Sequence, residues 1–189
     1  MKREKGLSRI RRDLAAIRLL AFDVDGVLTD GGILVGPDGA EWKRFSVRDG
    51  LGLVAARRAG LKIAFVSGRR SPAVAARARE LGVHADRQGV KDKAAEMRAL
   101  RVRFGVERAQ TLFLGDDVVD LPAFDECGIA VSVGDAHPRV IAAADAVTRA
   151  PGGGGAAREV VEAVLLARGL EEALPGILPR RGRGSRRPA

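Results

Sequence analysis

Apolar positions along the chain recur with two different periods. At Leu7, Ile10, Leu14 and Ile17 they return every three or four residues, which predicts a short amphipathic helix over 7–17. "LLAFDV" (19–24), "LKIAFVSG" (61–68), "TLFLGDD" (111–117) and "IAVSVG" (129–134) are instead continuous apolar runs, as expected of strands buried on both faces of a parallel sheet. "GGILVGPDGAEWKRFSV" reads as two short strands about the turn "GPDG", a β-hairpin over 31–46.

Helical patterns fill the intervals. "DGLGLVAARRAG" has Asp49 as its expected N-cap and Gly60 as its stop, and "SPAVAARARELG" has Ser71, Pro72 and Gly82 in the positions of cap, first turn and stop. "KDKAAEMRALRVRFG" predicts a longer helix, "VDLPAFDECG" and "HPRVIAAA" short ones, and "GGGGAAREVVEAVLLARG" a glycine loop opening into a last helix. Regular alternation of strand and helix calls for one parallel sheet with helices on both faces, an α/β domain. The expected organisation is a basic segment with a helix over 1–18, the α/β domain over 19–169, and a basic tail over 170–189, frayed and then disordered from about Pro179.

In such sheets ligands bind at the carboxyl ends of the strands. The first strand ends in Asp23 and Asp25, the second in Ser67 and Arg69, and the third in Asp116 and Asp117 with Asp120 a turn beyond; Lys93 opens the intervening helix. Like charges two residues apart at the end of a buried strand repel one another unless a cation stands between them. Three or more carboxylates with one ammonium and one hydroxyl are the outline of a Mg²⁺ and phosphate site. Each element alone is equally a solvated turn, a loop serine or an exposed helix lysine; the joint arrangement carries the argument.

Bulk properties narrow the reading. The chain has 189 residues, 46% of them hydrophobic, enough for one domain with a core. No apolar run approaches a membrane span, and the basic N-terminus lacks the apolar stretch of a secretory signal. A single cysteine, Cys127, excludes an internal disulfide and fits a reducing, cytoplasmic setting. Of the net charge of +9, the ends hold most: residues 1–13 carry six basic and two acidic side chains, and residues 170–189 carry five and two. With tyrosine absent and aromatics at 4%, base-stacking platforms are scarce, so nucleic acid is not the expected partner.

These motifs, Asp23-x-Asp25, Ser67, Lys93 and Asp116-Asp117, resemble the four signatures of the haloacid dehalogenase superfamily. "FDVDGVLTDGG", "FSVRDGLG", "SGRR", "QGVKDK", "GDDVVDLP" and "DAHP" are similar, more narrowly, to the 3-deoxy-D-manno-octulosonate (KDO) 8-phosphate phosphatases, over about residues 17–169. The resemblance implies a Rossmann-like fold and a Mg²⁺-dependent phosphatase of a small sugar-acid phosphate. It implies Asp23 as nucleophile and Asp25 as general acid and base, with Mg²⁺ held by Asp23, the carbonyl of Asp25, and Asp116. It implies Ser67 and Lys93 on the phosphoryl oxygens, with Asp117 and Asp120 orienting Lys93 or metal-bound waters. Substrate would lie along Ser46, Val47, Arg48, Asp49 and Gly50, with Asp25, Lys93, Arg69 and Arg77 also in contact.

Only 44 residues separate Asp23 from Ser67, and 26 separate Ser67 from Lys93, so no cap domain fits between these motifs. The resemblance implies that hairpins of neighbouring subunits close the site in a homotetramer. One departure stands out: the family's glycine loop commonly has an arginine where this chain has Gly154. The alternatives are an acylneuraminate-type 9-phosphate as substrate, a nucleic-acid end phosphatase and a non-catalytic binding protein. A receiver domain of two-component signalling has its acidic, hydroxyl and lysine motifs in a different order. His84, His137 and Cys127 are expected to be structural.

Overall fold

The computed structural model describes residues 6–174. Its strands are β1 (Leu19–Phe22), β2 (Leu34–Val35), β3 (Glu41–Trp42), β4 (Lys62–Ser67), β5 (Ala85–Gln88), β6 (Thr111–Gly115), β7 (Ile129–Ser132) and β8 (Ala146–Val147). Its helices are α1 (Arg11–Leu14), α2 (Val47–Arg58), α3 (Pro72–Leu81), α4 (Lys93–Phe104), α5 (Leu121–Phe124), α6 (Pro138–Ala143) and α7 (Ala156–Ala167). Six strands form one parallel sheet in the order β5-β4-β1-β6-β7-β8, and β2 and β3 form a separate antiparallel hairpin. Among the described residues there is no further domain over the sheet, and no helix is long and apolar enough to cross a membrane.

The sheet forms because its central strands have no polar face to turn outward. β1, β6 and β7 are buried at every position, and β4 at all but its first. In register, Phe22 stands opposite Phe65 and Ala21 opposite Phe113, and all three phenylalanines are fully buried. Burying one such side chain contributes about 1.5–3 kcal/mol. α3 has the expected Ser71 cap position and Pro72 start, and its stop at Gly82 adopts the left-handed conformation that glycine favours.

Several elements differ from their sequence signals. The N-terminal helix expected over 7–17 is a 3-10 turn at Leu7–Ile10 followed by the single-turn α1. α2 begins three residues earlier than expected. Ser46 is its N-cap, accepting from the Asp49 amide at 3.3 Å, and Asp49 lies inside the first turn. β5 carries little apolar signal and β8 is only two residues long; both are strands through pairing, with β4 and β7. Residues 170–174, placed with the tail from the sequence, form a 3-10 turn at Glu171–Ala173 that leaves Leu174 buried. Residues 1–5 of the basic segment and 175–189 of the tail lie outside the described residues.

Asp49 is diverted to another helix. α7 begins after Gly155, which has no side chain with which to cap it. Asp49 Oδ1 accepts from the Arg158 amide at 2.7 Å and so caps α7 from α2, across 109 residues of sequence. Burial raises the Asp49 pKa, against the lowering effect of the Arg158 amide and neighbouring donors. The two histidines are structural as well: His84 Nδ1 accepts from the Ile63 amide, and His137 Nδ1 caps α6 by accepting from the Arg139 amide.

Asp49→Ala removes this cap and leaves a partly buried amide without its partner; urea unfolding is expected to show a loss of about 1–2 kcal/mol, and less for Asp49→Asn, which keeps an acceptor. Cys127 is buried, and desolvation pushes its thiol up to about 12. Because the thiolate is the reactive form, the folded protein is expected not to react with a thiol reagent at pH 8, and to react stoichiometrically once unfolded.

Candidate active site

The carboxyl edge of β1 and β6 gathers the acids. Asp23 follows β1, and its amide continues the ladder by donating to the Leu114 carbonyl at 3.0 Å. Its Oδ1 accepts from the Val24 amide at 2.7 Å. Asp116 follows β6, and Asp120 sits one turn on, fully buried. Carboxylate oxygens of Asp23, Asp116 and Asp120 lie within 4.8 Å of one another.

Lys93 resolves part of this crowding. It is the first residue of α4, and its buried ammonium reaches Asp120 Oδ1 at 2.6 Å and Asp23 Oδ1 at 3.0 Å. Burial disfavours the charged lysine, but the two carboxylates outweigh it and hold its pKa above the usual value. Asp120 Oδ2 meanwhile accepts from the Asp116 amide at 2.9 Å and the Asp117 amide at 3.3 Å, fixing the turn that presents Asp116. Asp117 is exposed and caps that turn through the Val118 amide; it makes no bond to Lys93.

Asp116 is left without such a partner. Its buried Oδ1 has no hydrogen bond. Burial, then the charges of Asp23 and Asp120, push its carboxyl up to about 8. Asp23 is likewise raised, by burial and by Asp120, against the lowering effect of Lys93. A buried orphan oxygen facing two further carboxylates is a place for a cation, and an all-oxygen donor set suits Mg²⁺. The residues present fit that ion.

The loop after β1 is held by Thr29, fully buried, whose Oγ1 accepts from the Gly31 amide at 3.2 Å. Gly26, at a φ of +87°, packs so closely under Asp116 that a Cβ would collide with its carboxylate. From above, the Gly153 amide donates to the Val27 carbonyl at 2.9 Å, and a Cβ on Gly152 would strike the Gly26 carbonyl. Backbone therefore meets backbone where the glycine loop covers the acid loop. One strand over, Ser67 ends β4, its Oγ accepting from the Arg69 amide at 3.1 Å with its own proton left to donate.

The residues expected along the substrate occupy different settings. Val47 and Arg48 are exposed at the start of α2, with Arg48 Nη2 3.5 Å from the Gly154 carbonyl. Ser46 caps α2, Asp49 caps α7, and Gly50 lies beneath the Arg77 guanidinium, where a Cβ would clash. Arg77 reaches the Ser46 carbonyl at 3.3 Å and lies over the Phe45 ring, so it fastens α3 to the base of the hairpin. Arg69 is exposed and pairs with Glu41 at 2.9 Å.

Lys43 and Glu41 were not singled out by motif or spacing. The Lys43 side chain is completely enclosed, with its ammonium on the Asp25 carboxylate and 3.1 Å from Glu41. The available signal was the hairpin's alternation, which puts Glu41 and Lys43 on the face opposite Trp42.

Comparison with known proteins gives the family. The family described as haloacid dehalogenase-like hydrolase matches residues 87–159. The 3-deoxy-D-manno-octulosonate 8-phosphate phosphatase KdsC of Escherichia coli strain K12 is 42% identical over 158 residues, covering 83% of this chain and 84% of that protein. The Moraxella catarrhalis 3-deoxy-D-manno-octulosonate 8-phosphate phosphatase, solved in complex with magnesium, phosphate and KDO, superposes with a TM-score of 0.85 at 39% identity, over 88% of this chain and 95% of that one. The cobalt-bound Haemophilus influenzae phosphatase YrbI gives a TM-score of 0.83 at 39% identity, over 86% and 95%. With this identity spread over more than four-fifths of both chains, the chain belongs to the 3-deoxy-D-manno-octulosonate 8-phosphate phosphatase family of haloacid dehalogenase-like hydrolases.

Proposed function

We propose that this chain hydrolyses 3-deoxy-D-manno-octulosonate 8-phosphate to the free sugar acid and inorganic phosphate, with Mg²⁺ as cofactor. The observation that carries the reading is the division of the acid cluster: Lys93 clamped by Asp23 and Asp120, and Asp116 beside them with a buried oxygen that no donor reaches.

On this reading Asp23, fixed through Oδ1 by Lys93 and the Val24 amide, attacks phosphorus. The bond from Asp23 to phosphorus forms as the bond from phosphorus to the sugar oxygen breaks, giving an aspartyl-phosphate. Asp25 donates a proton to the departing sugar oxygen, then takes one from the water that attacks the aspartyl-phosphate and releases Asp23. The Ser67 hydroxyl and the Lys93 ammonium hold the phosphoryl oxygens as charge spreads over them. Mg²⁺ held by Asp23, Asp116 and the Asp25 carbonyl would supply the positive charge that lets a carboxylate approach a phosphate dianion. Arg48 and Arg69, exposed at the rim, are the cations available to the sugar's carboxylate.

The reading includes assembly into a homotetramer and a cytoplasmic location, where a reduced thiol such as Cys127 is at home. The hairpin supports the assembly: Leu34, Val35 and Trp42 are 65%, 70% and 63% exposed, an apolar surface suited to other copies of itself.

Wild-type protein with Mg²⁺ is expected to release phosphate from KDO 8-phosphate in preference to an acylneuraminate 9-phosphate or a 5′-phosphorylated DNA end. Asp23→Asn is expected to lose at least about a thousandfold in kcat; retention of turnover by that variant, or preference for either competitor, overturns the assignment. Mg²⁺ is expected to raise the melting temperature of the wild type and not that of Asp116→Asn. In EDTA that variant is expected to melt above the wild type, because it relieves one of three crowded carboxylates. Sedimentation is expected to show four-subunit particles that dissociate in Trp42→Glu.

A further inference from the structure

A line of alternating charges runs from the acid loop through the hairpin to the end of β4: Asp25, Lys43, Glu41 and Arg69. Its members differ in exposure. Arg69 is half-exposed, whereas the Lys43 side chain is entirely enclosed and its two carboxylate partners are each 19% exposed. A lysine removed from water loses several kcal/mol of hydration, which only close and well-directed carboxylates offset. Lys43 has two carboxylates within ion-pair distance, and the one it hydrogen-bonds is Asp25, the group to which the proposed chemistry assigns the proton transfers; Glu41 lies at 3.1 Å with its buried Oε1 outside hydrogen-bond geometry.

The arrangement parallels the inner one. Lys93 stands between Asp23 and Asp120; Lys43 stands between Asp25 and Glu41. The two enclosed ammonium groups hold Asp23 and Asp25 separately, although these acids are only two residues apart in the chain. Lys93 comes from the helix after β5 and Lys43 from the hairpin, so the position of the Asp25 carboxylate is set by an element that contributes nothing to the floor of the site.

We infer that Lys43 is a positioning residue: through its ammonium it fixes the Asp25 carboxylate in line with the departing oxygen, and Glu41 with Arg69 fastens that ammonium in place. The inference rests on the proposed role of Asp25 as general acid. It does not depend on which sugar is the substrate.

The test exploits the leaving group. An alkyl oxygen needs a proton as it departs, whereas the oxygen of p-nitrophenyl phosphate leaves as a stable anion with little help. With purified full-length enzyme and Mg²⁺, Lys43→Met is expected to lower kcat on KDO 8-phosphate about a hundredfold. On p-nitrophenyl phosphate the loss is expected to stay below about fivefold, and KM for either ester is expected to change little. In an Asp25→Asn background, Lys43→Met is expected to add less than about a threefold further loss, because the residue through which it acts is already disabled. Lys43→Arg, which keeps a cation between the same carboxylates, is expected to recover most of the rate. Glu41→Gln, a milder change on a partly exposed partner, is expected to give the same leaving-group dependence at about three- to tenfold, and carries the test if Lys43→Met does not fold.

Equal losses on the two esters, a full multiplicative loss in the Asp25→Asn background, or no loss at all would each overturn the inference. If the wild type cleaves p-nitrophenyl phosphate and some other alkyl phosphate but not KDO 8-phosphate, the substrate assignment fails, and the Lys43 comparison is made on the alkyl ester that is cleaved.

Discussion

Mutual repulsion among carboxylates at one sheet edge is the constraint that organises this molecule. Asp23, Asp116 and Asp120 present oxygens within 4.8 Å of one another in a largely buried setting. Left alone, such a cluster would protonate or pull the edge apart. The fold answers with one buried ammonium, Lys93, seated on two of the three acids at 2.6 and 3.0 Å. One positive charge cannot neutralise three negative ones, and the remainder falls on Asp116, whose carboxyl is pushed up to about 8. That residual demand for positive charge is what a divalent ion would meet and what a phosphate ester would then exploit.

The rest of the architecture keeps this edge in shape. The parallel sheet is apolar throughout its centre, so the polar strand ends are the positions where its chemistry is concentrated. Asp120 serves twice, holding Lys93 with one oxygen and the Asp116-Asp117 backbone with the other. Asp49 ties the first turn of α2 to the start of α7, and α7 follows the glycine loop that covers the acid loop. The Asp49 bond thus joins α2 to α7, and Arg77 on the Ser46 carbonyl joins α3 to the base of the hairpin, both by partly buried polar bonds.

What the chain disclosed in advance follows from range. β1, β4, β6 and β7 were legible because continuous apolar runs declare their burial locally, and the acids were legible because strand ends are where such folds bind ligands. β5, with the sequence "ADRQ", was not: its strand character comes from pairing with β4 rather than from its own side chains. The type and position of Asp49 suit it to cap its own helix, yet Ser46 holds that role and Asp49 reaches across 109 residues to another helix. Lys43 lay outside every motif for the same reason. Its partner Asp25 is 18 residues away, on a loop whose conformation is set by Thr29 and the glycines. Local pattern reports which groups are present near the site, while tertiary contact decides which of them touch.

Where the glycine loop lies on the acid loop, the two surfaces meet as main chain, with no side chain of Gly26, Gly152 or Gly153 between them. A contact made of backbone offers selection nothing to vary except the geometry itself. The groups open to replacement, Val47, Arg48 and Arg69, stand on the rim with their side chains outside that contact. On the proposed reading, exchange of rim residues would change which sugar acid is preferred without disturbing the backbone contact beneath, so one chemical engine would serve different sugar acids without being rebuilt.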